Sequence, residues 1–122
     1  MTTSLDRKIE DAKRLHLGGV LRFSVFNRLK HAVLKNEKYT HDQFEYWITC
    51  LNDAARMVEN PVVEAGIYRD MGGLLAAYGD NIRAIEYYRR SISLDHKSPF
   101  VKAMNSCIAF LQQKELLNEN EK

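Results

Sequence analysis

The stretch AAYGDNIRAIEYYRRSISLDH, residues 76–96, predicts a helical hairpin. A first apolar segment ends at Gly79, and glycine commonly ends helices because it adopts the left-handed backbone conformation without steric cost. Asp80 follows immediately, and its carboxylate is suited to accept hydrogen bonds from the free amides at the start of a second helix. The small Ala84 and the large Tyr88 share one face of that second helix. The local pattern therefore favours two antiparallel helices joined by a tight turn.

Helical periodicity extends over most of the 122-residue chain, and strand signals are nearly absent. Short connections favour antiparallel packing of neighbouring helices. We therefore expect an all-α single domain over residues 1–117, followed by a polar tail at 118–122. The six predicted helices span about 4–16, 20–35, 40–58, 61–78, 80–94 and 99–115.

Besides the helix that Asp80 caps, three other predicted helices begin with recognisable capping residues. Thr40 and Gln43 have the spacing of a capping box, in which a hydroxyl and an amide each satisfy a backbone N–H group. Asn60 precedes a proline, which is favoured at the first helical position because its missing N–H group would be unpaired there anyway. Residues 98–99 repeat this combination as Ser-Pro. These signals predict the starts of the third, fourth and sixth helices.

Composition and charge limit the classes of function. The formal net charge is only +2, so no strong overall field attracts the chain to nucleic acid or acidic lipid. Cys50 and Cys107 lie far apart on apolar-periodic segments, and we expect two reduced core thiols rather than a disulfide. The N-terminal residues are charged and lack the apolar region of a secretory signal, and no apolar run is long enough to cross a bilayer. We expect a cytoplasmic protein.

Residues 65–98 resemble a tetratricopeptide repeat (TPR), a helix-turn-helix unit of about 34 residues. Gly72 and Ala84 are small where the two helices would cross, which allows a close approach of the backbones. Ser91 and His96 depart from the family pattern, which usually has alanine and proline there. The residues that match the repeat scaffold are Tyr68, Met71, Gly72, Leu75, Gly79, Ala84 and Tyr88.

The resemblance implies antiparallel hairpins stacked as a short TPR-like α-solenoid of about six helices. The second and third helices would form a degenerate preceding pair, and the helix at 99–115 would cap the stack. TPR proteins bind an extended segment or a helix of a partner on a concave surface formed by the first helix of each repeat. The corresponding partner-binding residues of this sequence are Gly66, Arg69, Asp70, Gly73 and Ala76.

Two readings of these small residues remain open. They leave room for the side chains of a partner, with Arg69 available to an acidic group, or they are small because another helix of the same chain packs against them. TPR domains that clamp the C-terminal carboxylate of chaperone partners use an asparagine on this face. Gly73 stands at that position, so we do not expect this particular ligand.

No pattern in the sequence predicts catalysis. The four histidines show no metal-ligand spacing, and no phosphate-binding, dinucleotide-binding or nucleophile motif is present. We therefore expect a non-enzymatic protein-interaction module, a TPR-like adaptor or a chaperone or co-chaperone. We expect neither a metal, a cofactor nor a small-molecule substrate.

Two alternative functions remain open. The second predicted helix is apolar around much of its circumference, which would suit a homo-oligomerising structural or regulatory protein, for example a homodimer. The segment from Arg22 to Lys38 carries five basic residues and only Glu37 as an acidic one, which would suit nucleic-acid binding. The more ordinary reading of that segment is a solvated basic face.

Overall fold

The computed structural model describes Lys35 and residues 39–120, and this part of the chain is all helical with no strand. Four helices follow one another: α1 (His41–Met57), α2 (Pro61–Tyr78), α3 (Asn81–Leu94) and α4 (Val101–Asn120). The all-α prediction is confirmed for these residues. The predicted helices at 4–16 and 20–35 lie outside the described residues.

The first three helices begin where the capping residues predict, and α2 ends at the predicted Gly79. The Thr40 hydroxyl accepts a hydrogen bond from the Gln43 amide at 3.1 Å, and the Gln43 side chain accepts one from the Thr40 amide at 3.0 Å. Asn60 Oδ1 accepts from the first free amides of α2. Gly79 ends α2 with φ +108°, and Asp80 caps α3 by accepting from the Arg83 amide. The local signals therefore set these three starts.

The start of α4 differs from the prediction. Ser98 does not cap a helix that begins at Pro99. Its hydroxyl instead accepts from the amide of Phe100, within a turn that precedes Val101. The helix then continues to Asn120, so it begins two residues later than the predicted capping helix at 99–115 and includes the first residues of the predicted polar tail.

Successive helices pack against each other in antiparallel order. Ser91 donates a hydrogen bond to the Ala65 carbonyl at 2.7 Å, near the start of α2, whereas Gly72 contacts Tyr88 earlier in α3. At the N-terminal end of α1, Phe44 stacks on Tyr78 from the end of α2, with 3.8 Å between the ring centroids. The pairing α2–α3 is the most extensive in the described chain, followed by α3–α4.

One hydrophobic core connects all four helices. Its largest fully buried side chains include Phe44 and Leu51 of α1 and Met71, Leu74 and Leu75 of α2. Helix α4 contributes apolar residues at helical spacing, namely Met104, Ile108 and Leu111. Every residue predicted to form the repeat scaffold is buried except Gly79, which lies in the turn.

The closest packing in the hairpin occurs at Gly72. A Cβ atom added to this glycine would lie 2.8 Å from Cδ1 of Tyr88, so any side chain here displaces the tyrosine ring. Burial, together with the neighbouring Cys107, raises the pKa of Tyr88 to about 12, and its hydroxyl is therefore neutral over the ordinary pH range. Because the Tyr88 ring lies directly against Gly72, it occupies the space where α3 approaches α2.

Candidate functional site

The five predicted partner-binding residues of α2 do not form one open surface. Gly66 is buried and offers nothing to a partner, whereas Gly73 is exposed and Ala76 is partly buried against the core. Arg69 is engaged within the chain, because its guanidinium carbon lies 4.1 Å from the ring centroid of Phe100. Its Nε atom is also 3.8 Å from a carboxylate oxygen of Asp70. The burial of Gly66 favours the packing reading at that position, and the exposure of Gly73 leaves the partner reading open there.

A large groove lies on another face, formed by α3 and the C-terminal half of α4. We call it the α3 groove. Its volume is about 1170 Å³, and Arg56 of α1 and Tyr68 of α2 complete its lining. The apolar residues that line it are Ile82, Ile85, Leu94 and Leu116.

The α3 groove follows from the two-sided character of α3. Ala84, Tyr88 and Ser91 face the core at helical spacing. On the groove side, Ile82 is 68% exposed although it is strongly apolar, and Leu116 of α4 is 60% exposed. Scattered single hydrophobic residues are normal on surfaces, but these two line the same concave region.

Basic side chains lie at one end of the α3 groove. Arg56 and Arg89 form no ion pair within the described part of the chain and so have charge available for a ligand. Arg90 is partly engaged, since it donates to Glu86 at 2.6 Å and lies over the Tyr87 ring. At the other end, Glu115 accepts a hydrogen bond from the Asn81 amide group at 3.0 Å. The groove therefore combines an apolar floor with arginines at one end, of which Arg56 and Arg89 have no ion-pair partner among the described residues, and with Glu115 and Glu119 at the other end.

An ion-pair network holds α3 in place beside α1. The Arg83 guanidinium donates to Asp80 at 2.7 Å and to both carboxylate oxygens of Glu45. Burial disfavours ionisation of Asp80, but the hydrogen bonds from the Arg83 side chain and amide outweigh it and lower the pKa of the carboxyl group. Hydrogen bonds to Glu45 in turn raise the pKa of Arg83. This network fixes the register of the two helices.

The cysteine prediction is half correct. Neither cysteine forms a disulfide within the described residues, and Cys50 is buried, but Cys107 is exposed because α4 is apolar on more than one side and only one side faces the core. Within the described residues, no three His, Cys, Asp or Glu side chains are grouped as metal ligands. Nor does this part of the chain contain a helix that is both long and apolar enough to cross a membrane.

Sequence reasoning missed the α3 groove. The available signal was Ile82 on the opposite side of α3 from Ala84 and Tyr88, together with the Leu116-Leu117 pair late in α4. That signal is weak, because the groove depends on the angle between α3 and α4. The other two proposed surfaces, the second predicted helix and the basic segment from Arg22 to Lys38, lie outside the described residues apart from the exposed Lys35.

Comparison of the chain with protein-family models, curated proteins and solved structures finds no significant match. The resemblance of residues 65–98 to a TPR therefore stays a prediction, supported by local sequence and not by a relative.

Proposed function

We propose that this chain is a non-catalytic, TPR-like protein-interaction module, an adaptor or chaperone, which binds a segment of a partner protein in the α3 groove. The observation that carries the proposal is that exposed apolar residues lie beside two arginines, Arg56 and Arg89, that have no ion-pair partner among the described residues, in one concave region of about 1170 Å³. The predicted cytoplasmic location is part of the proposal and rests on the sequence alone.

The lining of the α3 groove favours an amphipathic segment with acidic residues beside its apolar side. Ile82 and Leu116 are the most exposed apolar residues of the lining, so they gain most from covering by aliphatic or aromatic side chains. Arg89 and Arg56 are exposed and complementary to carboxylates, which they bind with directed hydrogen bonds. A helix laid in a groove presents its anchors at spacings of three, four and seven residues.

The partner-binding role that the TPR resemblance implies for α2 receives less support. Arg69 already stacks on Phe100, and its replacement would disturb the turn before α4 as well as any partner. The α3 groove requires no such rearrangement, because Ile82, Leu116, Arg56 and Arg89 are already exposed in the folded chain.

Selection of displayed random peptides against the purified chain tests this proposal. We expect enriched peptides that combine apolar residues at helical spacing with Asp or Glu. The binding of those peptides should fall at least about tenfold for Arg89→Glu, because a favourable charge contact becomes a repulsive one. Ile82→Asp should have a similar effect through loss of apolar contact.

Lys97→Glu is the matched control, because it makes the same charge change at an exposed position outside the α3 groove. It should leave peptide binding unchanged. Circular dichroism confirms that each variant is folded. Selected peptides that bind the Arg89→Glu and Ile82→Asp variants as well as the wild type would contradict the groove assignment, and loss of binding only in Arg69→Glu would return the site to α2.

A further inference from the structure

The α3 groove carries charges of opposite sign at its two ends. Arg56 and Arg89 line the end near the close of α1 and α3, and Glu115 and Glu119 of α4 line the other end. None of these four side chains forms an ion pair within the described residues. Glu115 accepts a hydrogen bond from Asn81, but a neutral amide does not compensate the charge of a carboxylate.

The other charged residues of the lining offset each other. Arg90 donates to Glu86 at 2.6 Å, so this pair adds little net charge to the groove. The uncompensated charges are therefore separated into a basic end and an acidic end, and the exposed apolar residues Ile82 and Leu116 lie between Arg89 and Glu119.

The distance between the two ends follows from the geometry of the helices. The hydrogen bond between Asn81 and Glu115 sets Glu115 level with the first residue of α3. Arg89 comes eight residues after Asn81, which places it about 12 Å farther along the axis of α3. Glu119 lies one turn beyond Glu115 in the antiparallel α4, about 18 Å from the level of Arg89. An α-helix covers this span in about 8–12 residues, and an extended strand in about four to five.

The walls of the α3 groove favour a helical occupant. Helices α3 and α4 satisfy their own backbone hydrogen bonds, so they offer no strand edge with which an extended segment could pair. An extended segment would cover some of its own amides and carbonyls without partners, which is costly. A helix satisfies these groups internally and presents only side chains to the groove.

We propose that the occupant of the α3 groove is a bipolar amphipathic helix of a partner protein. Its acidic residues lie against Arg56 and Arg89, its basic residues lie two to three turns away against Glu115 and Glu119, and its apolar side covers Ile82 and Leu116. This inference rests on the proposed function and adds to it the basic end of the partner and the spacing of its charges.

Charge complementarity at both ends distinguishes a bipolar segment from a uniformly acidic one. A segment with acidic residues along its whole length would bring carboxylates against Glu115 and Glu119, and like charges across an interface disfavour binding. The acidic end of the groove therefore selects against a class of segments that the arginines alone would accept.

Fluorescence anisotropy with three labelled synthetic peptides tests the proposal. All three have the same length and the same apolar residues at helical spacing. The bipolar peptide carries Glu at one end and Lys about ten residues away, the mixed peptide has the same composition with Glu and Lys interleaved, and the acidic peptide carries Glu at both ends. The bipolar peptide is made in both chain orders, and the tighter of the two should bind the wild type at least about fivefold more tightly than the mixed or acidic peptide.

Glu119→Lys tests the acidic end of the groove. This variant should bind the bipolar peptide more weakly and the acidic peptide more tightly, so the ratio of the two affinities should fall at least about fivefold. A lysine in the last turn of α4 is compatible with the helix dipole, so the helix should remain folded. Asn118→Lys is the matched control, because it adds a lysine to the same turn at an exposed position that does not line the groove. It should leave the ratio unchanged.

The results separate this inference from the proposed function. A mixed or acidic peptide that binds the wild type as tightly as the bipolar one overturns the bipolar inference, and so does an unchanged ratio in Glu119→Lys. In both cases the proposed function stands, because a peptide still binds in the groove. If none of the peptides binds, the proposed function and the inference both fail, and light scattering on the free chain shows whether a second copy forms a complex instead.

Discussion

At the scale of the residue, the contact between Gly72 and Tyr88 controls the approach of α2 and α3. We expect Gly72→Ala to lower the free energy of unfolding by about 1–2 kcal/mol. The added methyl group collides with the Tyr88 ring, and the cost of overpacking exceeds the better helix propensity of alanine. Urea denaturation followed by circular dichroism measures the difference.

Gly73 supplies the control for this prediction. Among the described residues, a Cβ at Gly73 has only the Tyr88 hydroxyl oxygen nearby, at 3.7 Å, which is an ordinary contact distance. Gly73→Ala should therefore raise stability by up to about 1 kcal/mol through helix propensity alone. If both alanines have the same effect, the Tyr88 ring yields easily and the close contact does not set the helix spacing.

Ser91 shows where residue-level prediction from sequence ends. Tyr88, Gly72 and Ala84 were predictable because their sizes and spacings follow a repeat pattern. Ser91 departed from that pattern, and the structure gives the reason, since its buried hydroxyl donates to the Ala65 carbonyl. This carbonyl lies 26 residues away in the chain, and no local spacing indicates such a pairing.

At the scale of the element, the network around Arg83 fixes α3 beside α1. We expect Arg83→Gln to lower the free energy of unfolding by about 1 kcal/mol, because it removes charged hydrogen bonds from two helices while all three side chains remain about one-third exposed and screened by water. Chemical denaturation at low and high salt measures the effect, which should shrink in about 1 M NaCl.

Arg90→Gln is the matched control for the network. It breaks an exposed ion pair with Glu86 inside α3 only, so its cost should stay below about 0.5 kcal/mol.

The pKa of Asp80 lies below its ordinary value of 3.8, so the stabilisation from ionised Asp80 is complete above that value and disappears as the pH falls through the lowered pKa. Equal losses for Arg83→Gln and Arg90→Gln would show that the network does not couple α1 to α3.

The helix starts that could be predicted from the sequence are those set by hydrogen bonds between residues close together in the chain. The Thr40 and Asn60 caps satisfy amides two or three residues away, and both were correctly located. The predicted start of α4 was two residues too early. The Ser98 hydroxyl accepts a hydrogen bond from the amide two residues later, as a helix cap would, but this bond closes a turn before the helix. The α3 groove depends on how α3 and α4 cross, and the sequence of neither helix determines that angle.

At the scale of the whole molecule, α3 is the most connected helix of the described chain. It packs between α2 and α4, and it also contacts α1 through Arg83 with Glu45 and through the Tyr87 hydroxyl, which donates to Asn52 at 3.3 Å. Helix α4 packs mainly on α3, and its last turns extend beyond Glu115, which is level with the first residue of α3. In such an arrangement, a helix with fewer packed neighbours is expected to open more easily.

We therefore predict a graded pattern of amide hydrogen exchange rather than a single cooperative opening. The amides in the middle of α3 should exchange slowest, near the rate of global unfolding, and those after Glu115 in α4 should exchange fastest, because they have few buried contacts. Hydrogen–deuterium exchange followed by mass spectrometry measures this pattern. Uniform protection across α1 to α4 would show that the described helices unfold as one unit, and that the connectivity of α3 does not determine the order in which they open.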